Sequence, residues 1–94
     1  MEYVYIVYNP FNSLSKIGYT TQYLDRRLRQ LHNQSGMRFL IRRVYECKND
    51  AIELEKQIHE MYKDKREIGE WFSVSDDDIN YIDKKFKIKS IFKI

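Results

Sequence analysis

The segment at residues 3–8, Tyr-Val-Tyr-Ile-Val-Tyr, is the feature that most restricts how this chain can fold. Its β-branched and aromatic residues favour extended backbone, and it stops at Asn9-Pro10, a pair typical of turns. A continuous run of this kind is typical of a strand that is buried on both faces or nearly so. The run is also far shorter than the roughly 20 apolar residues of a membrane-spanning helix, so we expect no membrane partner.

The remaining segments predict an α+β fold. Residues 16–19 can return as a second strand, antiparallel to the first, across a loop of about six residues. Apolar residues recur at helical spacing through residues 24–31, 54–61 and 79–86, whereas residues 39–45 alternate and predict a third strand with one basic face. The predicted order is β-β-α-β-α-(β)-α, a three-stranded antiparallel or mixed sheet flanked by helices, with the whole chain as one domain.

Capping residues locate the starts of the second and third predicted helices. Asp50 and Glu53 form a capping pair before the second helix, and Ser75 followed by three aspartates opens the third. Carboxylates favour these positions because the start of a helix carries partial positive charge. Residues 71–74 predict a short extended segment before the third helix. For residues 84–94 the pattern leaves helix extension, edge strand and mobile tail open.

Charge along the chain is separated into blocks. The net charge is only +3, but residues 26–45 contain six arginines and no acid. A guanidinium group bonds two phosphate oxygens at once, so the arginine block favours an anionic partner such as the DNA backbone. The alternative is a solvated helix face. The predicted phosphate contacts outside the reaction centre are Arg26, Arg29, Arg38, Arg42 and Arg43.

Cys47 is the only cysteine, which restricts both the redox setting and the type of metal site. One cysteine forms neither an internal disulfide nor a cysteine-based metal site, and this suits a reducing compartment. Glu2 stands where a signal peptide has its basic start. We therefore expect an intracellular protein.

Five short motifs follow one another in a characteristic order. They are Tyr-Val-Tyr at residues 3–5, Lys-Ile-Gly at 16–18, Leu-Asp-Arg-Arg-Leu at 24–28, Ala-Ile-Glu-Leu-Glu at 51–55 and Glu-Trp-Phe at 70–72. In this order, and on the predicted hairpin and helices, they resemble the GIY-YIG nuclease superfamily, in its viral and phage branch whose second motif reads Lys-Ile-Gly. The resemblance implies a DNA endonuclease that hydrolyses phosphodiester bonds with a divalent cation, Mg²⁺ or Mn²⁺.

The resemblance also implies roles for individual residues. Tyr5 would be the hairpin tyrosine that orients or deprotonates the attacking water. Arg27 would hold the scissile phosphate, with Arg26 as the alternative if positions are counted from the glycine of the second motif. Glu55, rather than Glu53, matches the glutamate that binds the cation.

Three features depart from the family pattern, and the first is that the asparagine commonly found near the end of the fold has no clear counterpart beside Trp71-Phe72. Lys16 stands where the second motif usually has a tyrosine, and Tyr19 or Tyr8 could substitute for it. The histidine often found one turn after the arginine is replaced by Leu31, and His32 follows one residue later. Lys16, Tyr19 and His32 are therefore included among the candidate catalytic residues.

Phosphodiester cleavage needs a nucleophilic water, a group that takes its proton and cations that stabilise the developing charge. A tyrosine with a pKa near 10 is a poor base at neutral pH, so we expect Lys16 or Arg27 to lower the pKa of Tyr5. A single carboxylate such as Glu55 suits Mg²⁺, which keeps most of its waters. His59 is either a partner of Glu55 one helical turn away or a structural histidine, and the second interpretation is favoured.

Two functions other than an endonuclease agree with the same residues. A nucleic-acid-binding module could keep the fold and the arginines without cleaving DNA, as the replacement at Lys16 permits. A protein-interaction domain would instead require an exposed apolar patch. A second copy of the chain or another protein is a further expected partner beside DNA, because so short a chain has no obvious segment that reads DNA sequence.

Overall fold

The computed structural model describes residues 1–21, 23–35 and 39–93, and the side chains of residues 31, 32, 34, 35, 92 and 93 lie outside that description. In chain order the elements are β1 (Glu2–Asn9), β2 (Leu14–Thr20), α1 (Leu24–Ser35), β3 (Leu40–Cys47), α2 (Ala51–Met61), a short 3-10 helix (Lys63–Lys65), β4 (Arg66–Ile68), β5 (Trp71–Phe72), α3 (Asp76–Phe86) and β6 (Phe92–Lys93). The predicted α+β class is confirmed. None of the described helices is long and apolar enough to cross a membrane.

The predicted hairpin forms the centre of the sheet. In the described part of the chain the strand order is β4-β5-β2-β1-β3-β6, and every neighbouring pair is antiparallel. Tyr5 faces Gly18 across the hairpin and Val44 on the other side. The short strands β4, β5 and β6 widen the three predicted strands at both edges. The segment after α3, which the sequence left open, supplies the edge strand β6.

The first strand is buried on both faces, as its composition predicts. Val4 and Ile6 belong to the larger core cluster, with buried residues of α2 and α3. Tyr5 and Val7 point to the opposite face and pack against leucines of α1. Helix α1 therefore covers one face of the sheet, and α2 and α3 cover the other.

The two predicted helix starts have different outcomes. Ser75 begins α3 with a capping box, because its Oγ accepts from the Asp78 backbone at 3.1 Å and the Asp78 carboxylate accepts from the Ser75 backbone at 2.9 Å. The capping pair predicted at Asp50 is wrong, since no side-chain hydrogen bond caps α2 there. Instead the Ala51 backbone N–H donates to Glu2 Oε1 at 3.1 Å, which ties the start of α2 to β1.

Arg43 was predicted to contact phosphate, and the structure corrects this. Its side chain is buried, and its guanidinium donates to Asp83 Oδ2 at 3.3 Å and to Asn80 Oδ1 at 2.7 Å. Tyr45 Oη donates to the other Asp83 oxygen at 2.5 Å. Alternation along β3 predicted one basic face, but the Arg43 side chain contacts α3 instead of phosphate. Arg43 therefore fixes α3 to the sheet, since a buried charge requires a partner.

Candidate active site

Gly18 leaves space for the Tyr5 side chain to pass over strand β2 of the hairpin. The two residues are directly opposed in the β1–β2 register. A Cβ atom placed on Gly18 would lie 2.6 Å from Tyr5 Oη and 2.7 Å from Tyr5 Cζ, closer than real Cβ contacts. Only glycine leaves room for the phenol here, because a side chain would occupy the same space. The buried ring therefore lies across the backbone of β2, and its hydroxyl group reaches the neighbouring elements.

Arg27 is the arginine of α1 that the structure brings to this hydroxyl group. Its side chain is half-buried, and its Nε donates to Tyr5 Oη at 3.2 Å. Arg27 also lines a cavity of about 250 Å³ with Tyr19, Thr20, Thr21 and Glu70. The neighbouring arginine of the same motif is exposed and lines a different cavity.

Glu55 is the glutamate of α2 that lies in the site. It is 8% exposed, and its Oε2 atom is buried without a hydrogen-bond partner. Glu53 is exposed and accepts from the Gln57 side chain at 3.2 Å. A buried carboxylate oxygen without a donor is costly, so this atom points to a ligand.

Glu70 is the acidic residue that the sequence analysis missed as a site residue. It lies between β4 and β5, and its backbone carbonyl accepts from the Ile17 N–H at 3.0 Å, which places it beside β2. Its Oε1 lies 3.9 Å from Lys16 Nζ. The Glu70 side chain also forms a hydrogen bond with Glu55, so two carboxyl groups meet in the site.

The pKa of Glu55 reflects this crowding. Burial is the largest cause, and the charge of Glu70 and the hydrogen bond with it act in the same direction. Lys16 and the Tyr19 backbone N–H oppose them, and together these groups raise the pKa of Glu55 to about 7. With a pKa near neutrality, this carboxyl group is protonated in a large share of the molecules at neutral pH unless a cation takes the proton's place.

The raised pKa predicts that the cation-free protein loses stability as pH rises. A carboxyl group whose pKa is higher in the folded protein stabilises the fold fully below its unfolded pKa of 4.5, and this contribution is lost as pH rises through about 7. Between about pH 5 and pH 8, we expect this group to lower the free energy of unfolding by roughly 1–3 kcal/mol, measured by urea denaturation in EDTA. Glu55→Gln should remove that slope and Glu53→Gln should keep it. An unchanged slope in Glu55→Gln would contradict the pKa.

Tyr5 does not have the lowered pKa that the sequence predicted. Burial raises its pKa above the ordinary value, and the charges of Glu70 and Glu55 act in the same direction. The hydrogen bond and charge of Arg27 lower it but do not outweigh the burial. Lys16 is not among the groups that shift it. Tyr5 therefore keeps its proton at neutral pH and acts as a hydroxyl group.

His59 lies beside the two carboxyl groups of Glu55 and Glu70. One turn after Glu55 on α2, its Nε2 lies 2.7 Å from the Ile17 carbonyl oxygen. Its Nδ1 lies 3.1 Å from Arg66 Nη2 and 3.9 Å from Glu55 Oε1. Ligand atoms of Glu55, His59 and Glu70 all lie within 4.8 Å of one another. The structural interpretation of His59 explains only the first of these contacts.

The other candidate catalytic residues are placed differently. Lys16 Nζ lies beside Glu70 and 5.9 Å from the centre of the Trp71 ring. Tyr19 is partly exposed, lines the cavity and directs its backbone N–H to Glu55. Tyr8, the other suggested substitute tyrosine, lies under a guanidinium group on β3. The side chain of His32 lies outside the described residues.

Some of the arginines that were predicted to contact phosphate are exposed to solvent, and others are held by contacts within the fold. Arg26 and Arg29 are exposed on α1. Arg42 is half-buried and forms an ion pair with Asp76. Arg38 lies outside the described residues. Among the described arginines that were predicted to contact phosphate, the exposed ones therefore lie on α1.

Comparison with known proteins relates most of the chain to one family model, the T5orf172 domain, which matches residues 2–87. No curated protein and no solved structure gives a significant match. The matched range extends from β1 to the end of α3. It contains the hairpin, the arginine helix, the Glu55 helix and Glu70.

Proposed function

The chain belongs to the T5orf172 domain family, and on that premise we propose that it is a DNA endonuclease that hydrolyses phosphodiester bonds with a divalent cation. The family is phage-associated and related to nuclease-type domains, which is the coarse functional assignment. The finer proposal, including the GIY-YIG type of site, is supported by one observation. Two carboxyl groups, Glu55 and Glu70, meet beside the Tyr5–Arg27 pair, and Glu70 and Arg27 line the same cavity.

The donor set fits a divalent cation. Glu55 is nine-tenths buried and leaves one oxygen without a partner, and the Glu70 carboxyl group lies against it. Both are hard oxygen ligands of the kind that Mg²⁺ and Mn²⁺ take from proteins. When bound there, the cation would stabilise negative charge on the phosphate oxygens during cleavage.

Arg27 and Tyr5 act on the phosphate and the water. Arg27 uses Nε for Tyr5 and lines the cavity, so its remaining N–H groups can hold a non-bridging phosphate oxygen. Because Tyr5 Oη accepts from Arg27 and keeps its proton, it can donate that hydrogen to the attacking water and orient it. This role replaces deprotonation by a tyrosinate.

Lys16 positions Glu70 in this proposal. Its ammonium group lies 3.9 Å from the carboxylate and opposes the raised pKa of Glu55. The contact gives a physical role to the residue that replaces the usual motif tyrosine. It also offsets part of the negative charge that two neighbouring carboxyl groups bring into a half-buried site.

A nucleic-acid-binding module without catalysis is the second candidate. It is favoured by the presence of Lys16 where the motif usually has a tyrosine. The Lys16 ammonium group contacts Glu70 and the Trp71 ring, and lysine supplies no hydroxyl group. Arg26 and Arg29 on α1 would then be sufficient for binding the DNA backbone.

Incubation of the purified protein with branched, nicked, linear and supercoiled DNA separates the two functions. The endonuclease should cleave at least one substrate with Mg²⁺ or Mn²⁺ and none with EDTA. Its DNA affinity should fall steeply with salt, since binding arginines displace counterions. Salt-dependent binding without cleavage at any pH would reject the endonuclease and favour the binding module, whereas no binding would reject both.

A further inference from the structure

We propose that His59 is a third ligand of the cation site and that the site therefore prefers a first-row transition cation, such as Mn²⁺, to Mg²⁺. The inference rests on the proposed function only for the location of the cation beside Glu55 and Glu70. Two carboxylate oxygens and one imidazole nitrogen form a mixed donor set. Imidazole suits first-row transition cations, of which Mn²⁺ also takes carboxylate oxygens readily, whereas Mg²⁺ takes oxygen ligands and keeps its waters.

The distances allow all three residues to hold one ion. Their ligand atoms lie within 4.8 Å of one another, and His59 Nδ1 is 3.9 Å from Glu55 Oε1. Three atoms that each lie about 2.1 Å from a shared ion are roughly 3.0–3.6 Å apart in octahedral to trigonal arrangements. The widest pair therefore contracts by up to about 1–2 Å when a cation binds, through rotation of the side chains. The unpartnered, buried Oε2 of Glu55 is an independent sign that a ligand belongs here.

The imidazole is already in the tautomer that such a ligand needs. A carbonyl oxygen only accepts hydrogen bonds, so the 2.7 Å contact with the Ile17 carbonyl places the hydrogen of His59 on Nε2. Nδ1 then carries the lone pair, on the side of Glu55. Metal-binding histidines commonly donate their other N–H to a backbone carbonyl in this way, which fixes the ring. The Phe72 ring, 4.8 Å away, packs against the imidazole.

A hydrogen bond from Arg66 already uses the lone pair of His59 Nδ1. Its Nη2 donates to His59 Nδ1 at 3.1 Å, and its guanidinium lies 5.3 Å from the centre of the Phe72 ring. The side chain is exposed and belongs to β4, an edge strand of the described sheet, so it can turn away without disturbing the core. Arg66 therefore competes with the cation, and its withdrawal accompanies binding.

Cation binding by the DNA-free protein tests this inference. Mn²⁺ is titrated by electron paramagnetic resonance, and Mg²⁺ is measured by competition. We expect the wild type to bind Mn²⁺ at least about tenfold more tightly than Mg²⁺. His59→Gln should weaken Mn²⁺ binding by about tenfold or more and change Mg²⁺ binding much less.

Arg66→Ala provides a test that leaves His59 in place. Loss of the competing guanidinium should strengthen Mn²⁺ binding severalfold. The control is Lys63→Ala, which removes an exposed positive charge that pairs with Glu60 and should leave Mn²⁺ affinity within about twofold of the wild type. An equal gain in both variants would mean that general charge, rather than the contact with His59, sets the affinity, and would overturn the role of Arg66.

A spectroscopic signature covers the case in which His59→Gln fails to fold. In the Co²⁺-loaded wild type, the His59 Nε2 hydrogen should give a strongly shifted exchangeable proton resonance, which a purely structural histidine would not give. Absence of that resonance, or unchanged Mn²⁺ affinity in folded His59→Gln, overturns the inference.

A protein that binds Mn²⁺ through His59 but cleaves no DNA would defeat the endonuclease and leave this inference standing. Cleavage of DNA with Mn²⁺ by a His59→Gln variant whose Mn²⁺ affinity is unchanged would do the reverse.

Discussion

We expect Glu55→Gln to lower DNA cleavage by about a thousandfold and to leave DNA affinity nearly unchanged. Glutamine keeps the shape of the side chain but lacks the negative charge that holds a cation beside Glu70. Because cation chemistry acts on the transition state, the loss appears in turnover rather than in substrate binding. Single-turnover cleavage with saturating Mg²⁺ or Mn²⁺ measures the first quantity, and a DNA titration in EDTA measures the second.

Glu53→Gln is the matched control, since it removes the same charge two residues away on α2. Glu53 is exposed and contacts Gln57, so its replacement should leave cleavage within about twofold of the wild type. Glu55→Gln also relieves a buried carboxyl group with a raised pKa, so it should not be less stable than the wild type above neutral pH. Urea denaturation of Glu55→Gln at about pH 8, with no loss of stability expected, then excludes unfolding as the cause of lost activity. Equal loss in both variants would contradict the site assignment.

The fold could be predicted because its central elements have strong local patterns. Every residue at positions 3–8 is β-branched or aromatic, so neither face of the strand is polar. The structure buries β1 on both faces. Ser75 and Asp78 form a capping box from neighbouring positions in the sequence. Of the short strands, β5 lies in the extended segment predicted at residues 71–74, β6 lies in the segment left open, and β4 was not predicted. Two or three residues carry no period, and such strands depend on pairing with a distant partner.

Local patterns also limited what could be said of the site. Two arginines and two glutamates with similar spacing could not be separated in the sequence with certainty. The contact between Arg27 and Tyr5, and the burial of Glu55, depend on how α1 and α2 pack on opposite faces of the sheet. The direction of each side chain is therefore a tertiary property, although its residue type was visible.

Glu70 and Arg43 show why the remaining site residues were missed or misplaced. Glu70 reaches the site because β5 pairs with β2, opposing Trp71 and Lys16. The one available signal was its position inside the Glu-Trp-Phe motif, which was interpreted only as a closing element. Arg43 lies on a strand that was predicted to have one basic face, but α3 supplies a partly exposed carboxylate at Asp83 that pairs with it. Neither contact is encoded near the residue itself.

The neighbouring arginines of α1 allow a second test with a large expected effect. Arg27→Ala should lower turnover by roughly a hundredfold to a thousandfold, because it removes both the phosphate contact and the donor that holds Tyr5 Oη. Arg26→Ala should weaken DNA binding modestly and change turnover little, because Arg26 is exposed and lies outside the cavity that Arg27 lines. The measurement is single-turnover cleavage beside DNA affinity for each variant.

Arg27→Lys then separates charge from geometry. Lysine keeps a positive charge near the phosphate but cannot replace the bidentate guanidinium or its Nε bond to Tyr5. We therefore expect Arg27→Lys to restore DNA affinity lost in Arg27→Ala while recovering little of the turnover. Full recovery by lysine would show that only the charge matters and would remove the positioning of Tyr5 from the mechanism. A larger loss of turnover in Arg26→Ala than in Arg27→Ala would instead mean that the catalytic arginine is the one counted from Gly18, and that the contact with Tyr5 serves the fold.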